Sequence, residues 1–179
     1  MKPSETARFA SPHAASDKTA ARSARGSAED PRDLALIGEA LEEARDAGRG
    51  GEVPVGAVVW LEGRILGRGS NRPIASGDPT AHAEIVAIRR AASAIGNYRL
   101  TGAVLAVTLE PCLMCFGAAL AARIEEVVYG APDPRQGAAE RTLLLQEESG
   151  VLNHRIRITS GVREEACAGL LKDFFAARR

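Results

Sequence analysis

The chain lacks net charge: its 179 residues carry 23 Lys and Arg against 23 Asp and Glu. Indiscriminate coating of nucleic acid needs a cation surplus to displace counterions, so that class is excluded, although a local basic patch is not. Cysteine is scarce, three residues and odd in number, which excludes a disulfide scaffold. No apolar run approaches the roughly 20 residues needed to span a bilayer. The N-terminal stretch has no apolar core of the kind a secretory signal needs. There is no internal repeat, no second C-x-x-C to complete a zinc ribbon, and no Lys-Ser/Thr after Gly67-Arg68-Gly69 to make a phosphate loop. What remains is 45% hydrophobic and 26% charged, the composition of a soluble intracellular protein of one domain plus a tail. A cytoplasmic location and no membrane partner are expected.

Residues 1–30 are rich in Ala, Ser, Arg and Pro, with Phe9 the only large apolar residue after Met1. Such a stretch cannot bury enough surface to offset its backbone entropy and is read as a disordered extension. Its acids Glu5, Asp17, Glu29 and Asp30 speak against an organelle transit sequence. Residues 31–179 form the expected domain.

Within it, Leu34, Ile37, Leu41 and Ala44 recur at helical spacing behind an Asp30-Pro31 start signal, and Gly48 to Gly51 ends that helix. Residues 53–61 and 64–70 read as strands joined by a Glu62-Gly63 hairpin turn. A helix is predicted from Asp78-Pro79-Thr80 to about Ile95, with His82 and Glu84 in its first turn. A strand at 103–109 precedes a helix opened by Pro111 and running to about Arg123. Short strands at 126–129 and 156–159 follow. Residues 162–179 read as a last helix with a stripe of Ala166, Leu170 and Phe174. After the hairpin, strands alternate with helices, which favours a layered α/β fold with helices on both sheet faces.

Two segments carry chemistry, His82-Ala83-Glu84 and Pro111-Cys112-Leu113-Met114-Cys115. Cysteines three apart on a helical turn point the same way, and a helix N-terminus favours their thiolates. Two thiolates and one imidazole select zinc, one ion per chain. Three protein ligands leave a coordination position open, the mark of catalytic zinc, whose bound water becomes a hydroxide near neutral pH. Glu84, two residues from His82, is placed to shuttle protons, so hydrolytic attack on an electrophilic carbon is expected. Either motif alone is weak. C-x-x-C also serves redox dithiols, and a histidine beside a glutamate is ordinary surface. Cys167 belongs to the core stripe of the last helix rather than to the ligands.

The H-x-E…P-C-x-x-C pattern resembles the zinc-dependent nucleoside and nucleobase deaminases. Among them the chain is most similar to the bacterial tRNA-specific adenosine deaminases. The similarity is carried by Glu-Val-Pro-Val-Gly-Ala-Val at 52–58, Asn-Arg-Pro-Ile at 71–74 and Asp-Pro-Thr-Ala-His-Ala-Glu at 78–84. Asn-Tyr-Arg-Leu at 97–100, Thr-Leu-Glu-Pro-Cys-Leu-Met-Cys at 108–115, Asn-His-Arg at 153–155 and Asp-Phe-Phe at 173–175 continue it. The resemblance implies a cytidine deaminase-like three-layer α/β/α sandwich around a five-stranded mixed sheet, and a homodimer. It implies conversion of adenosine to inosine at the wobble position of a tRNA anticodon, in bacteria usually an arginine tRNA, with zinc-bound hydroxide as nucleophile and Glu84 as proton carrier. It further implies that Asn71 hydrogen-bonds the flipped-out base and Leu109 walls the pocket. Asp133 and Arg135 would contact anticodon nucleotides, and Phe174, Phe175, Arg178 and Arg179 would border the RNA groove of the stem-loop. One of the two phenylalanines is expected to be plain core.

The chain departs from that pattern at Glu140-Arg141, where Gly-Ser usually follows Gly-Ala-Ala, at Pro134 beside Asp133, and in a longer loop before Asn153. The alternatives are a guanine or other free-base or nucleoside deaminase with the same zinc site, a catalytically silent RNA-binding subunit, and a purely structural zinc. Retention of Glu84 argues against silence. From Pro31 onward there are 18 cations against 19 acids. From Asn153 onward, however, Arg155, Arg157, Arg163, Lys172, Arg178 and Arg179 outnumber Glu164, Glu165 and Asp173. Binding of one folded anticodon loop, with specificity drawn from a pocket, follows.

Overall fold

The computed structural model describes residues 28–148 and 152–178. The expectation of a disordered extension therefore falls almost wholly outside the described residues, as does the longer loop before Asn153.

Helix α1 (Pro31–Arg49) starts as its signal predicts: Pro31 occupies the first turn and the Asp30 carboxylate accepts the Arg32 N–H at 2.8 Å. Strands β1 (Gly56–Leu61) and β2 (Arg64–Ser70) form an antiparallel hairpin. Its turn residues Glu62 and Gly63 have φ of 48° and 83°, the mirror-image turn that suits strand twist. β1 starts three residues later than expected because Pro54, without an N–H, cannot enter the ladder. A four-residue helix α2 (Pro73–Ser76) follows, then α3 (Ala83–Ile95), β3 (Val104–Leu109), α4 (Leu113–Ala121) and β4 (Glu126–Ala131). The chain continues with α5 (Ala139–Glu147), β5 (Arg157–Thr159) and α6 (Glu164–Ala176).

Two helices start later than the sequence predicts. Asp78 spends its carboxylate on the Thr80 N–H and hydroxyl, making a turn, so α3 begins only after His82. Pro111 lies ahead of α4, whose N-cap is Cys112. Helix α2 opens on Pro73, whereas α5 has neither a capping side chain nor a proline at its start. The N-cap of α5 is Ala138, and only Ala139 and Thr142 are buried along it. Glu140 and Arg141 thus lie exposed in its first turn rather than in a loop. On α6, Ala166 is exposed, and the inward positions are Cys167, Leu170 and Phe174.

The sheet order is β2-β1-β3-β4-β5, antiparallel across β2-β1-β3 and parallel across β3-β4-β5, so the expected five-stranded mixed sheet is present. Alternate strand residues feed two cores. Ala57, Val59, Leu105, Val107 and Val127 pack under α3 and α4, whereas Val58, Val104, Ala106 and Val128 pack under α1 and α6. Strand register puts Gly56, Ser70, Leu109 and Ala131 on one edge of the sheet. That edge carries the functional side chains.

Helix α3 lies unusually close to the hairpin. A Cβ on Gly69 would fall 2.1 Å from the Ala83 carbonyl oxygen, and one on Gly67 would fall 2.2 Å from that of Ala87. Gly69→Ala must therefore lift the start of α3, which carries His82 and Glu84. A loss of about 3 kcal/mol in unfolding free energy is expected, read from the urea midpoint.

Candidate active site

His82 is the N-cap of α3 and Cys112 the N-cap of α4; Glu84 and Cys115 sit in the first turns behind them. Neither helix has a side-chain cap, so the free N–H groups and positive dipole ends of both face the same small volume. The donor atoms close a triangle. His82 Nδ1 is 3.7 Å from Cys112 Sγ and 3.5 Å from Cys115 Sγ, and the sulfurs are 3.7 Å apart.

These separations test the fit of zinc. A tetrahedral ion bound at about 2.3 Å to sulfur and about 2.05 Å to imidazole requires sulfurs roughly 3.8 Å apart and sulfur to nitrogen roughly 3.6 Å. The triangle fits on all three edges. Among the described residues, His82, Cys112 and Cys115 form the one group of this kind, and none of those residues adds a fourth donor to it. His154 is engaged elsewhere, its Nε2 lying 2.6 Å from the Ile124 carbonyl oxygen; His13 lies outside the described residues.

The electrostatics suit a divalent cation. The Cys112 thiol is drawn down to about 4, first by the hydrogen bond from Cys115 and then by His82. The same bond, together with burial, pushes Cys115 up. Metal binding must displace the proton the pair shares. His82 is raised by its hydrogen bond to Cys112. Glu84 is 4% exposed, and burial raises its carboxyl above the ordinary range, so it takes up a proton more readily than a surface glutamate.

The other expected residues divide into three groups. Asn71 directly follows β2, its N–H bonded to the Val55 carbonyl at 2.9 Å, and the Arg72 N–H bonds Ala81 O at 3.0 Å beside His82. Leu109 ends β3, half-buried against both cores. Both therefore stand on the edge that bears the donor triangle. Asp133 and Arg135 lie in the loop after β4, which is tied back to the site by a bridge between Cys112 and Gly137. The Asp133 carboxylate accepts the N–H groups of Arg135 and Gln136 at 2.9 and 3.1 Å, shaping its own loop.

Phe174 and Arg178 stand on the α1 side of the sheet. Phe174 lines a groove of about 360 Å³ with Arg45, Arg49, Pro54 and Leu170. The Arg178 guanidinium lies 3.6 Å from the Phe174 ring centroid, and Phe175 meets that ring edge-on at 5.4 Å. Neither phenylalanine is plain core: Phe174 is half-buried and Phe175 is 49% exposed, both in the last turns of α6. Arg179 lies outside the described residues.

Two carboxylates escaped the sequence reading. Glu52 is buried and accepts the Ala75 N–H at 2.7 Å, holding α2 beside Asn71. Glu110 accepts the N–H groups of both Asp133 and Ala139 at 3.0 Å. Only their places in the segments 52–58 and 108–115 marked them.

Residues 31–131 match the model of the cytidine and deoxycytidylate deaminase zinc-binding region. The chain is 45% identical over 149 residues to the tRNA-specific adenosine deaminase of Bacillus subtilis strain 168, covering 83% of this chain and 91% of that one. A solved structure from work on A-to-I editing by tRNA:A34 deaminases at the wobble position of transfer RNA superposes with a TM-score of 0.72 at 45% identity, over 76% of this chain and 99% of that one. A guanine deaminase from Bacillus subtilis superposes less completely, with a TM-score of 0.53 at 39% identity, over 55% of this chain and 63% of that one.

Replacing Cys115 with Ala removes a fully buried donor from the triangle. Zinc retained after dialysis should fall from about one per chain to under about a tenth, as measured by elemental analysis.

Proposed function

The chain belongs to the zinc deaminases that share the cytidine and deoxycytidylate deaminase zinc-binding region; from that premise we propose that it deaminates adenosine to inosine at the wobble position of a tRNA anticodon, with an arginine tRNA as substrate. One observation carries the reading: a three-donor triangle of zinc dimensions, with buried Glu84 in the same helical turn as His82. The extent of the likeness favours adenosine in tRNA over guanine. A tRNA-specific adenosine deaminase is matched at 45% identity over 83% of this chain, whereas guanine deaminases are matched either at 39% identity over 55% of it or at 24% over 80%.

His82, Cys112 and Cys115 hold the ion, which when bound supplies a Lewis acid that makes water nucleophilic at neutral pH. Glu84 receives one proton of the water as it adds to the amino-bearing ring carbon and hands it to the adjacent ring nitrogen; it then takes the remaining hydroxyl proton as that oxygen becomes the carbonyl and gives it to the leaving amine. The C–O bond forms, the C–N bond breaks, and ammonia departs. Burial suits Glu84 to both halves of this exchange, because it brings the neutral and ionised forms closer in energy. Asn71 orients the extruded base and Leu109 walls its pocket. Asp133, Arg135, Phe174 and Arg178 hold the flanking nucleotides, and the stacked Arg178–Phe174 pair presents a cation beside an aromatic edge.

The deaminase domain runs over residues 31–179, in agreement with α1 starting at Pro31 and α6 closing the layer beside it. No helix of the described residues is long and apolar enough to cross a membrane, and a cytoplasmic location accords with a tRNA substrate. The protein acts as a homodimer. Leu113 and Leu144 on neighbouring helices are each 60% exposed, with Met114 and Leu143 beside them in sequence, an apolar surface that a second copy would cover.

Three measurements test this reading. Glu84→Ala should reduce inosine formation in an anticodon stem-loop by roughly a thousandfold while zinc stays near one per chain; unchanged turnover would remove Glu84 from the mechanism. Activity on free guanine with none on the stem-loop would overturn the substrate. Leu144→Asp should shift the protein from dimer to monomer in sedimentation.

A further inference from the structure

We infer that Glu110 is the positioning residue that sets the RNA-contacting loop against the zinc corner. The inference rests on the deaminase reading above and adds to it a residue that never touches substrate. Glu110 ends the β3 side of the sheet edge, its own N–H bonded to the Ala131 carbonyl at 2.8 Å, and lies two residues before Cys112. Its two carboxylate oxygens are spent on different parts of the chain. Oε2 accepts the N–H of Asp133 and Oε1 that of Ala139, each at 3.0 Å.

Each bond has a consequence. Asp133 opens the loop whose conformation its own carboxylate then sets through Arg135 and Gln136. Ala139 is the first residue of α5, and the N-cap position, Ala138, has no side chain that could cap it. Glu110 supplies the missing cap from outside the helix, with its negative charge at the positive end of the α5 dipole. The contact is close. A Cβ on Gly137 would fall 2.3 Å from Glu110 Oε2, so only a glycine lets the loop lie against the carboxylate. The same glycine bridges to Cys112, and the Ala138 N–H bonds the Pro111 carbonyl at 3.1 Å. The loop is thus gripped at both ends by one side chain and at its middle by the metal-binding turn.

A glutamine cannot replace the carboxylate. It offers one oxygen and one amide donor, and that donor would face an N–H, so one of the two bonds is lost and a polar clash replaces it. The chemistry at Glu84 and the donor triangle are untouched.

The test compares wild type, Glu110→Gln, Asp133→Ala and the double variant on an anticodon stem-loop. Zinc content and amide hydrogen exchange are followed alongside. For Glu110→Gln, KM should rise about tenfold with kcat within about twofold, zinc should stay near one per chain, and exchange at Asp133 and Ala139 should accelerate while Val107 in the sheet does not. In the Asp133→Ala background the same change should raise KM by less than about twofold, because both act through one loop. Additive effects on KM, a fall in kcat at constant KM, or loss of zinc would each overturn the inference. A wild-type protein inactive on the stem-loop would overturn the deaminase reading instead. The exchange rates alone would then decide the placement of the loop: acceleration confined to Asp133 and Ala139 supports it, and unchanged rates overturn it.

Discussion

Helix α3 can deliver His82 and Glu84 to the sheet edge only because the hairpin beneath it carries no side chains at Gly67 and Gly69. With backbone against backbone, the start of α3 lies low enough for its N-cap imidazole to meet two sulfurs that hang from the end of β3 through α4. Gly56 performs the same service on the opposite face, where a Cβ would fall 2.1 Å from the Ala40 carbonyl oxygen of α1. Both layers are therefore pressed onto the hairpin, and a donor triangle accurate to about a tenth of an ångström depends on glycines that take no part in the chemistry.

The electrostatics follow from that placement. Two uncapped helix starts converge on one point, so thiolates and a carboxylate gather where positive potential is already present. Glu84 is deeply buried yet faces the dipole of its own helix, a position in which charge is neither freely solvated nor abandoned. The equal totals of cations and acids fit this economy. With no excess of cations overall, the chain has no bulk charge with which to hold unrelated nucleic acid.

Much of this was legible in the sequence, for reasons that can be named. The start of α1 and the hairpin turn are local signals, encoded within a few residues of where they act. The donor triangle and Glu84 were legible because their spacing is also local, Cys112 to Cys115 in one turn and His82 to Glu84 in another. The late start of α3 was not, because Thr80 competes for the Asp78 carboxylate with the helix it would otherwise cap. Helix α5 was invisible because its cap comes from Glu110, 29 residues earlier. One of Phe174 and Phe175 looks like core in sequence, but Phe174 is only half-buried with the Arg178 guanidinium over its ring, and Phe175 is exposed.

Glu110 grips backbone amides, not side chains, and that has an evolutionary consequence. Any residue except proline supplies an N–H, so the segment between the two anchored positions is free to drift in sequence without losing its place. Pro134 illustrates the permission: it stands one residue beyond an anchored amide, where no N–H is asked for. A lineage could thus rewrite the exposed side chains of the loop while inheriting the metal corner unchanged. Prolines at 133, 135, 136, 138 and 139 and any side chain at 137 are closed to it.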